Sequence, residues 1–361
     1  MLQNRIPATL EVRSGPVNKR VGFGAPCFLV AEIGQNHQGD PAKARELVMA
    51  AARCGADAVK FQKRDVDALL TRAGQARPYT GPNSFGPTYG EHRRALELSL
   101  DQLAECKTLA ESLGLVFFAT PWDPVSLDQL ARLGVGLLKI CSADVINLPL
   151  IRKAAALQLP LIISTGMSEL AEIDAAVANA TRFHEQIILL HCNSTYPCPP
   201  EEISLPVMEL IRRRYGLPVG YSGHELGLGP SVAAAALGAC VIERHFTLDR
   251  RLPGTDHQAS LEPAEFASLA SMVRDVEKAR LVGEKQVFAG ERNAAAKLRK
   301  SLVAARDLPA NHRLGAEDFL AKSAGDPRDG ISPLDLERIM GKKLLVAVRQ
   351  DEMLAWNMLT G

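Results

Sequence analysis

A closed (β/α)8 barrel followed by a small second domain is the fold this sequence predicts, on three observations. Short apolar runs alternate with helical patterns eight times between residues 28 and 280. The runs are continuous rather than alternating, which marks strands of a parallel sheet covered on its outer face. Polar side chains gather at the C-terminal ends of those runs, where barrel enzymes place their chemistry.

The elements follow in order. Residues 9–23 alternate around Ser14-Gly15-Pro16 and predict a hairpin. Strands are then expected at 28–33, 58–62, 116–120, 137–141, 161–165, 187–192, 219–222 and 241–246. Asp40 is placed to cap the first helix and Pro41 suits its first turn. Ala44, Leu47, Val48 and Ala51 then repeat at the spacing of one buried face, and Gly55 ends the helix. Residues 226–239, rich in Ala and Gly, predict a tightly packed helix before the last strand. The final barrel helix opens at Pro263 and carries Phe266, Leu269, Ala270 and Val273 on one face.

One connection is longer than a barrel needs. From residue 63 to about 100 it holds Arg72, Arg77, Tyr79, Tyr89, His92, Arg93 and Arg94. A loop of that length on the C-terminal rim predicts a cover over the active site. The barrel domain is expected over 1–280. Residues 281–293 read as a linker, and 294–361, with many Gly and Pro, are too turn-rich to continue the barrel. Strands are expected there at 301–306 and 343–349.

Composition argues by exclusion. Hydrophobic residues make up 47% and charged residues 23%, and 42 basic against 41 acidic residues leave a formal net charge of +1. No global bias points to nucleic acid or to a membrane surface. The seven cysteines are an odd number without a CxxC pair, so reduced thiols in a cytoplasmic protein are expected rather than disulfides or a zinc knuckle. The first residues, MLQNRIPATLEVRSG, lack the apolar centre of a signal peptide, and no run approaches the ~18 apolar residues that span a bilayer.

The strand ends supply Glu32, Lys60, Gln62, Thr120, Lys139, Ser142, Ser164, Ser222, His224, Glu243 and His245, with Asn193, Ser194 and Tyr196 just after the sixth strand. Lys60 and Lys139 are embedded in apolar strands, where an unpaired ammonium is expensive to desolvate. The recurrent hydroxyls suit the oxygens of phosphate and carboxylate. His224 and His245, on adjacent strand ends, are expected to reach one divalent ion: Mn2+ or Mg2+, with Co2+ and Zn2+ also compatible. An open coordination position would make that ion a Lewis acid toward a carbonyl. His37 and His257 fall in loops, as substrate contacts or as surface residues; His191 reads as structural. Chemistry alone therefore points to a metal-assisted reaction between a phosphorylated acid and a carbonyl compound.

Several blocks resemble the sialic acid synthases: Ala31-Glu32-Ile33-Gly34-Gln35-Asn36-His37, Val59-Lys60-Phe61-Gln62, Lys139-Ile140-Cys141-Ser142, Ser164-Thr165-Gly166-Met167, Tyr221-Ser222-Gly223-His224 and Glu243-Arg244-His245. The C-terminal segment resembles the antifreeze-like SAF (β-clip) domain of that family, which implies a TIM barrel with a SAF domain and a domain-swapped homodimer. The resemblance implies a transferase that condenses phosphoenolpyruvate with an N-acylated hexosamine, breaking the C–O bond to phosphate. On that reading Lys60, Thr120, Lys139, Ser142, Ser164 and Ser222 hold phosphoenolpyruvate, and His224 and His245 hold the ion. Glu32 handles the water or its proton, with Glu243 as the runner-up. Gln62, Asn193, Tyr196 and Asp256 contact the sugar. Free-sugar bacterial members bring an arginine from an Arg-Pro-Gly-x-Gly run; here the stretch is KSAGDPR, which leaves Arg328 as the candidate. The long loop and the block 254–263 look closer to the animal members, which take the 6-phosphorylated sugar and form a 9-phosphate. The alternatives are a synthase of a related nonulosonic acid (deaminated, legionaminate or pseudaminate type) and a non-catalytic carbohydrate-binding or regulatory barrel. The latter would be marked by loss of His224, His245, Lys60 or Lys139, and all four are present.

Overall fold

The computed structural model describes residues 9–281, 283–323 and 329–361. It falls into two compact units, Met1–Val282 and Gly283–Gly361. The first opens with a hairpin of β1 (Thr9–Ser14) and β2 (Val17–Gly22). Eight parallel strands then close into a barrel: β3 (Phe28–Gly34), β4 (Ala58–Lys63), β5 (Val116–Pro121), β6 (Leu138–Ile140), β7 (Leu161–Ser164), β8 (Ile187–Cys192), β9 (Val219–Gly223) and β10 (Val241–His245). Each pairs with its neighbour in sequence, and β10 closes the ring on β3.

Alternation along each strand positions the site. In β3, Leu29, Ala31 and Ile33 pack outward against the helices, while Phe28 and Val30 point into the barrel. The next inward position is Glu32, which faces the cavity. The same register carries Ala58 to Lys60 and Gln62, Phe118 to Thr120, Ile162 to Ser164, and Val241 to Glu243 and His245. A period of two thus turns one apolar inner face into a polar layer at the C-terminal ends.

The helices start as their sequences dictate. The Asp40 side chain accepts from the Ala42 amide at 2.8 Å at the head of Pro41–Arg53, and Gly55 follows the helix end in the left-handed region at φ 81°. The helices expected near 226–239 and from Pro263 are Gly229–Ala236 and Pro263–Ala279. The long connection is ordered, with short helices at Val66–Leu69, Arg72–Ala76 and Tyr89–Ala95. No described helix is long and apolar enough to cross a membrane.

The hairpin occupies the opposite end of the barrel. Leu10, Val12, Val17 and Val21 join Phe28, Val30, Phe118 and Leu137 in one buried cluster. A Cβ on Gly136 would lie 1.4 Å from the Arg13 carbonyl oxygen, so only glycine admits the hairpin backbone there.

In the second unit β11 (Ser301–Ala304) pairs antiparallel with β12 (Phe319–Lys322). The strand expected at 343–349 does not form. Lys343, Leu344 and Val348 each bridge a different segment, at Arg313, Leu359 and Leu308, and a strand needs one continuous partner. The helix Arg292–Leu298 begins inside the stretch that reads as a linker.

Candidate active site

A cavity of about 540 Å3 opens where the eight strands end. At its floor two ammonium groups meet two carboxylates. Lys60 Nζ lies 2.9 Å from Glu32 Oε2 and 3.3 Å from Glu243 Oε1 and donates to Thr120 Oγ1 at 3.3 Å; Lys139 Nζ donates to Glu243 Oε1 at 3.2 Å. All four groups are buried. Burial alone lowers a lysine pKa, but the Glu243 and Glu32 carboxylates outweigh it and raise that of Lys60. For Glu243 burial pushes upward, and the two ammonium groups prevail and hold it down at about 2. The quartet is neutral as a whole. It leaves Glu243 Oε2 and the neighbouring Ser164 hydroxyl without a hydrogen-bond partner among the described residues. Buried polar atoms of this kind point to a ligand. Ser142 Oγ accepts from the Gly166 amide at 3.1 Å, which leaves its own proton to donate into the cavity.

Above the quartet the rings of His224 and His245 stand 5.4 Å apart, centre to centre. His224 Nδ1 lies 2.6 Å from the Asn193 carbonyl oxygen. A carbonyl only accepts, so Nδ1 carries a proton, and in the neutral ring Nε2 keeps its lone pair. Burial lowers the His224 pKa, but Cys192 and the Asn193 carbonyl outweigh it and raise it. His245 Nδ1 is buried with no hydrogen-bond partner, 3.7 Å from Asp256 Oδ2. Burial lowers the His245 pKa, partly opposed by Asp256, so the imidazole stays neutral. One imidazole is fixed in a tautomer with a free nitrogen and the other has an orphaned one, which fits a pair of metal ligands. No group of three or more His, Cys, Asp or Glu is arranged to hold an ion among the described residues. An ion held by the pair would thus keep its other positions for water or substrate. The Tyr196 ring packs on both imidazoles, at 3.9 Å from His224 and 5.7 Å from His245.

Fourteen of the site residues expected from sequence line this one cavity: Glu32, Lys60, Gln62, Thr120, Lys139, Ser142, Ser164, Ser194, Tyr196, Ser222, His224, Glu243, His245 and Asp256. Asn193 does not, because its amide is engaged by the Glu202 carbonyl and the Thr195 N–H; its main chain orients His224 instead. Arg328 lies outside the described residues. His37 and His257 are buried structural groups. His37 accepts from the Gly39 amide and His257 pairs with the Thr247 hydroxyl, and burial pushes both down to about 4. His191, on the Ile203 carbonyl at 2.6 Å, is structural as expected. The wall also includes Gln35, Asn83, Trp122 and Gln258, which sequence reasoning missed as contacts. Gln35 stands inside a recognised block, but nothing in the pattern of the long connection singles out Asn83.

Comparison with known proteins places this geometry. Residues 47–285 match the NeuB family, and residues 299–360 match the SAF domain. An N-acetylneuraminate-9-phosphate synthase of Homo sapiens is 41% identical over 348 residues, 96% of either chain. An N,N'-diacetyllegionaminic acid synthase of Legionella pneumophila is 38% identical over 341 residues, 93% of this chain and 95% of its own. Among solved structures, an N-acetylneuraminic acid (sialic acid) synthetase from Leptospira borgpetersenii, crystallised with citrate, is 31% identical. It has a TM-score of 0.69 and covers 79% of this chain and 95% of its own. By domain match, identity over nearly its whole length and shared fold, this chain belongs to the NeuB family and carries that family's barrel with a C-terminal SAF domain.

Proposed function

We propose that the chain is a sialic acid synthase. It condenses phosphoenolpyruvate with N-acetylmannosamine or its 6-phosphate, giving N-acetylneuraminate or its 9-phosphate and releasing phosphate. One observation carries the reading: a buried lysine pair and a pair of adjacent imidazoles line a single cavity. The first arrangement suits an anionic enol phosphate and the second suits a carbonyl oxygen.

Lys60, Lys139 and the hydroxyls of Thr120, Ser142, Ser164 and Ser222 would bind the phosphate and carboxylate of phosphoenolpyruvate by charge-assisted hydrogen bonds. Gln62, Tyr196 and Asp256 would orient the open-chain sugar. His224 and His245 would hold a divalent ion, Mn2+ or Mg2+ by the reading above, with Co2+ or Zn2+ also compatible; when bound it supplies Lewis acidity toward the sugar aldehyde. Carbon 3 of phosphoenolpyruvate forms the new bond to the aldehyde carbon, whose oxygen takes up a proton. Carbon 2, left electron-poor, accepts a water oxygen. Loss of the water's protons and cleavage of the carbon 2–oxygen bond then release phosphate and leave the 2-keto acid. Glu32 is placed to take the water's proton, with one oxygen on Lys60 and the other accepting from Gln62 at 2.6 Å. Glu243 stays ionised far below neutral pH, so it serves as the fixed counter-charge of both lysines rather than as a proton carrier. The proposal includes a homodimer in a cytoplasmic setting, which sedimentation of the full chain and fractionation of the source cells test.

The test is phosphate release from phosphoenolpyruvate with N-acetylmannosamine, its 6-phosphate, a mannose 6-phosphate and a diacetamido hexose, with and without Mn2+ after chelation. Release is expected only with both sugar and ion. Full activity after exhaustive chelation refutes the metal assignment, and no release with any sugar refutes the synthase. His224→Ala should lower turnover by about a thousandfold or more, with unchanged circular dichroism.

A further inference from the structure

The cations of the cavity fall into two sets. Lys60 and Lys139 on the floor are committed to Glu32 and Glu243. Arg93, on the helix Tyr89–Ala95 of the long connection, is the contrast. Its Nε and Nη2 donate to the Tyr89 hydroxyl at 2.9 and 2.6 Å, and its Nη1 donates to Gln35 Oε1 at 2.9 Å. All three acceptors are neutral. Its neighbours behave differently: Arg94 pairs with Asp67 at 2.7 Å and Arg64 with Glu97 at 3.2 Å. Arg93 forms no ion pair among the described residues, although it lines the cavity. A guanidinium has five N–H groups. The three in use leave one on each terminal nitrogen, a fork matched to two oxygens of one anion.

The fork is held in place from several sides. Thr88 and Glu91 cap the helix reciprocally, and the Tyr89 ring is flanked by Arg77 and Arg93, each 4.9 Å from its centre. Asn83 Oδ1 accepts from the Gly254 amide at 2.9 Å, tying the connection to the loop that carries Asp256. A ladder of side chains runs from the floor to the fork. Gln62 donates to Glu32 at 2.6 Å, Gln35 donates to Gln62 at 3.4 Å, and Arg93 donates to Gln35. Arg93 therefore stands above the floor, removed from the lysines by two amide side chains. Asp256 shares the cavity and feels the charge of Arg93, but no ion-pair contact joins the two; the basic side chain beside Asp256 is the neutral His245 ring, at 3.7 Å.

We propose that Arg93 is a specificity-determining residue that selects an acceptor sugar bearing a phosphate monoester at the end remote from its aldehyde. The assignment rests on the synthase reading. A substrate bound with its aldehyde at the imidazole pair and its far end along the ladder would place that phosphate on the free fork. Among the described residues that line the cavity, this half-buried guanidinium fork is the one cationic group without an ion-pair partner and the one that the condensation itself does not use.

The test compares kcat/KM for N-acetylmannosamine 6-phosphate and for N-acetylmannosamine in the native chain, Arg93→Met and Arg93→Lys, with KM for phosphoenolpyruvate measured alongside. Arg93→Met should lower the ratio of phosphorylated to free sugar by about tenfold or more, the scale of a lost charge-assisted hydrogen bond. Arg93→Lys should restore part of it, since the charge returns without the fork. Both sugars are measured on one preparation, so an unfolded fraction cancels in the ratio. An unchanged ratio overturns the proposal, as does a loss confined to KM for phosphoenolpyruvate, which gives the guanidinium to the other substrate. Calorimetric titration with the sugar phosphate alone separates the two levels. Binding weakened by Arg93→Met in a chain that releases no phosphate sinks the synthase and keeps the anion site; turnover with equal binding by native and variant chains does the reverse.

Discussion

Between Glu243 and His245 lies Arg244, and the pleat of β10 sends it to the other face of the barrel wall. It is completely buried. Nη1 donates to Glu225 Oε1 at 2.8 Å, Ser231 Oγ at 2.9 Å and the Gly227 carbonyl at 3.0 Å, while Nη2 donates to the Glu225 carbonyl at 2.6 Å. Tyr221 donates its hydroxyl to the other Glu225 oxygen at 2.8 Å. One side chain thus ties the segment after His224 to the strand that carries His245, and so sets how the two imidazoles meet. Gly223 belongs to the same device, because a Cβ there would fall 2.4 Å from Glu225 Oε2. Arg244→Met strands a buried carboxylate and should cost about 3–5 kcal/mol in chemical denaturation. Replacing Glu225 with Leu as well removes the stranded charge and should recover much of that loss. Turnover should stay low in the double variant, because the tie is still missing. A double variant that is stable and fully active would show the ion pair to be structural only. The block Glu243-Arg244-His245 was legible as a functional block, but the partner of Arg244 was not. Its carboxylate follows the other imidazole in sequence, and only the barrel register brings them together.

At the scale of elements, continuous apolar runs predict the eight barrel strands to within a residue or two, because a strand covered on both faces has no polar position until it reaches the rim. The same reasoning locates the chemistry, since the first polar inward residue of each strand marks the cavity floor. The hairpin was legible as a hairpin but not as a plug. Its alternation shows that one face is buried without showing against what. Gly136 records the answer, packed under the Arg13 carbonyl. Gly136→Ala should destabilise the barrel unit by about 1–3 kcal/mol through this forced displacement. Because the strain lies at the end of the barrel away from the cavity, KM values of the folded fraction should not move. A melting midpoint equal to that of the native chain would show the hairpin free to shift. The second unit was less legible. Its chain makes isolated bridges between turns, as at Leu308 with Val348 and Leu344 with Leu359, and such pairings leave little periodicity in sequence.

At the scale of the molecule, each unit has its own buried cluster and one of the two tryptophans, Trp122 in the barrel and Trp356 in the second unit. With Trp122→Phe as background, Trp356 fluorescence reports the second unit within the full chain. That unit has a buried anchor in Asp318, whose carboxylate meets Arg306 Nη2 at 2.8 Å, His312 Nε2 at 2.7 Å and the Gly315 amide at 2.9 Å. Burial pushes this carboxyl upward, but the amide, Arg306 and His312 together hold it down at about 2. A carboxyl depressed in the folded state stabilises above its unfolded pKa, and that stability fades as pH falls toward the folded value. Taking about 3.9 for the unfolded group, the contribution is about 2–3 kcal/mol at neutral pH and is lost below the lower value. The denaturation midpoint read from Trp356 should therefore drop between pH of about 4 and about 2, and Asp318→Asn should be less stable at neutral pH with a flatter profile across that window. Parallel profiles for the two chains would mean that other carboxylates govern the acid response. A Trp356 transition moved by Asp318→Asn while the barrel's own far-ultraviolet transition stays in place would show that the unit's stability is set by its own core and this one anchored charge.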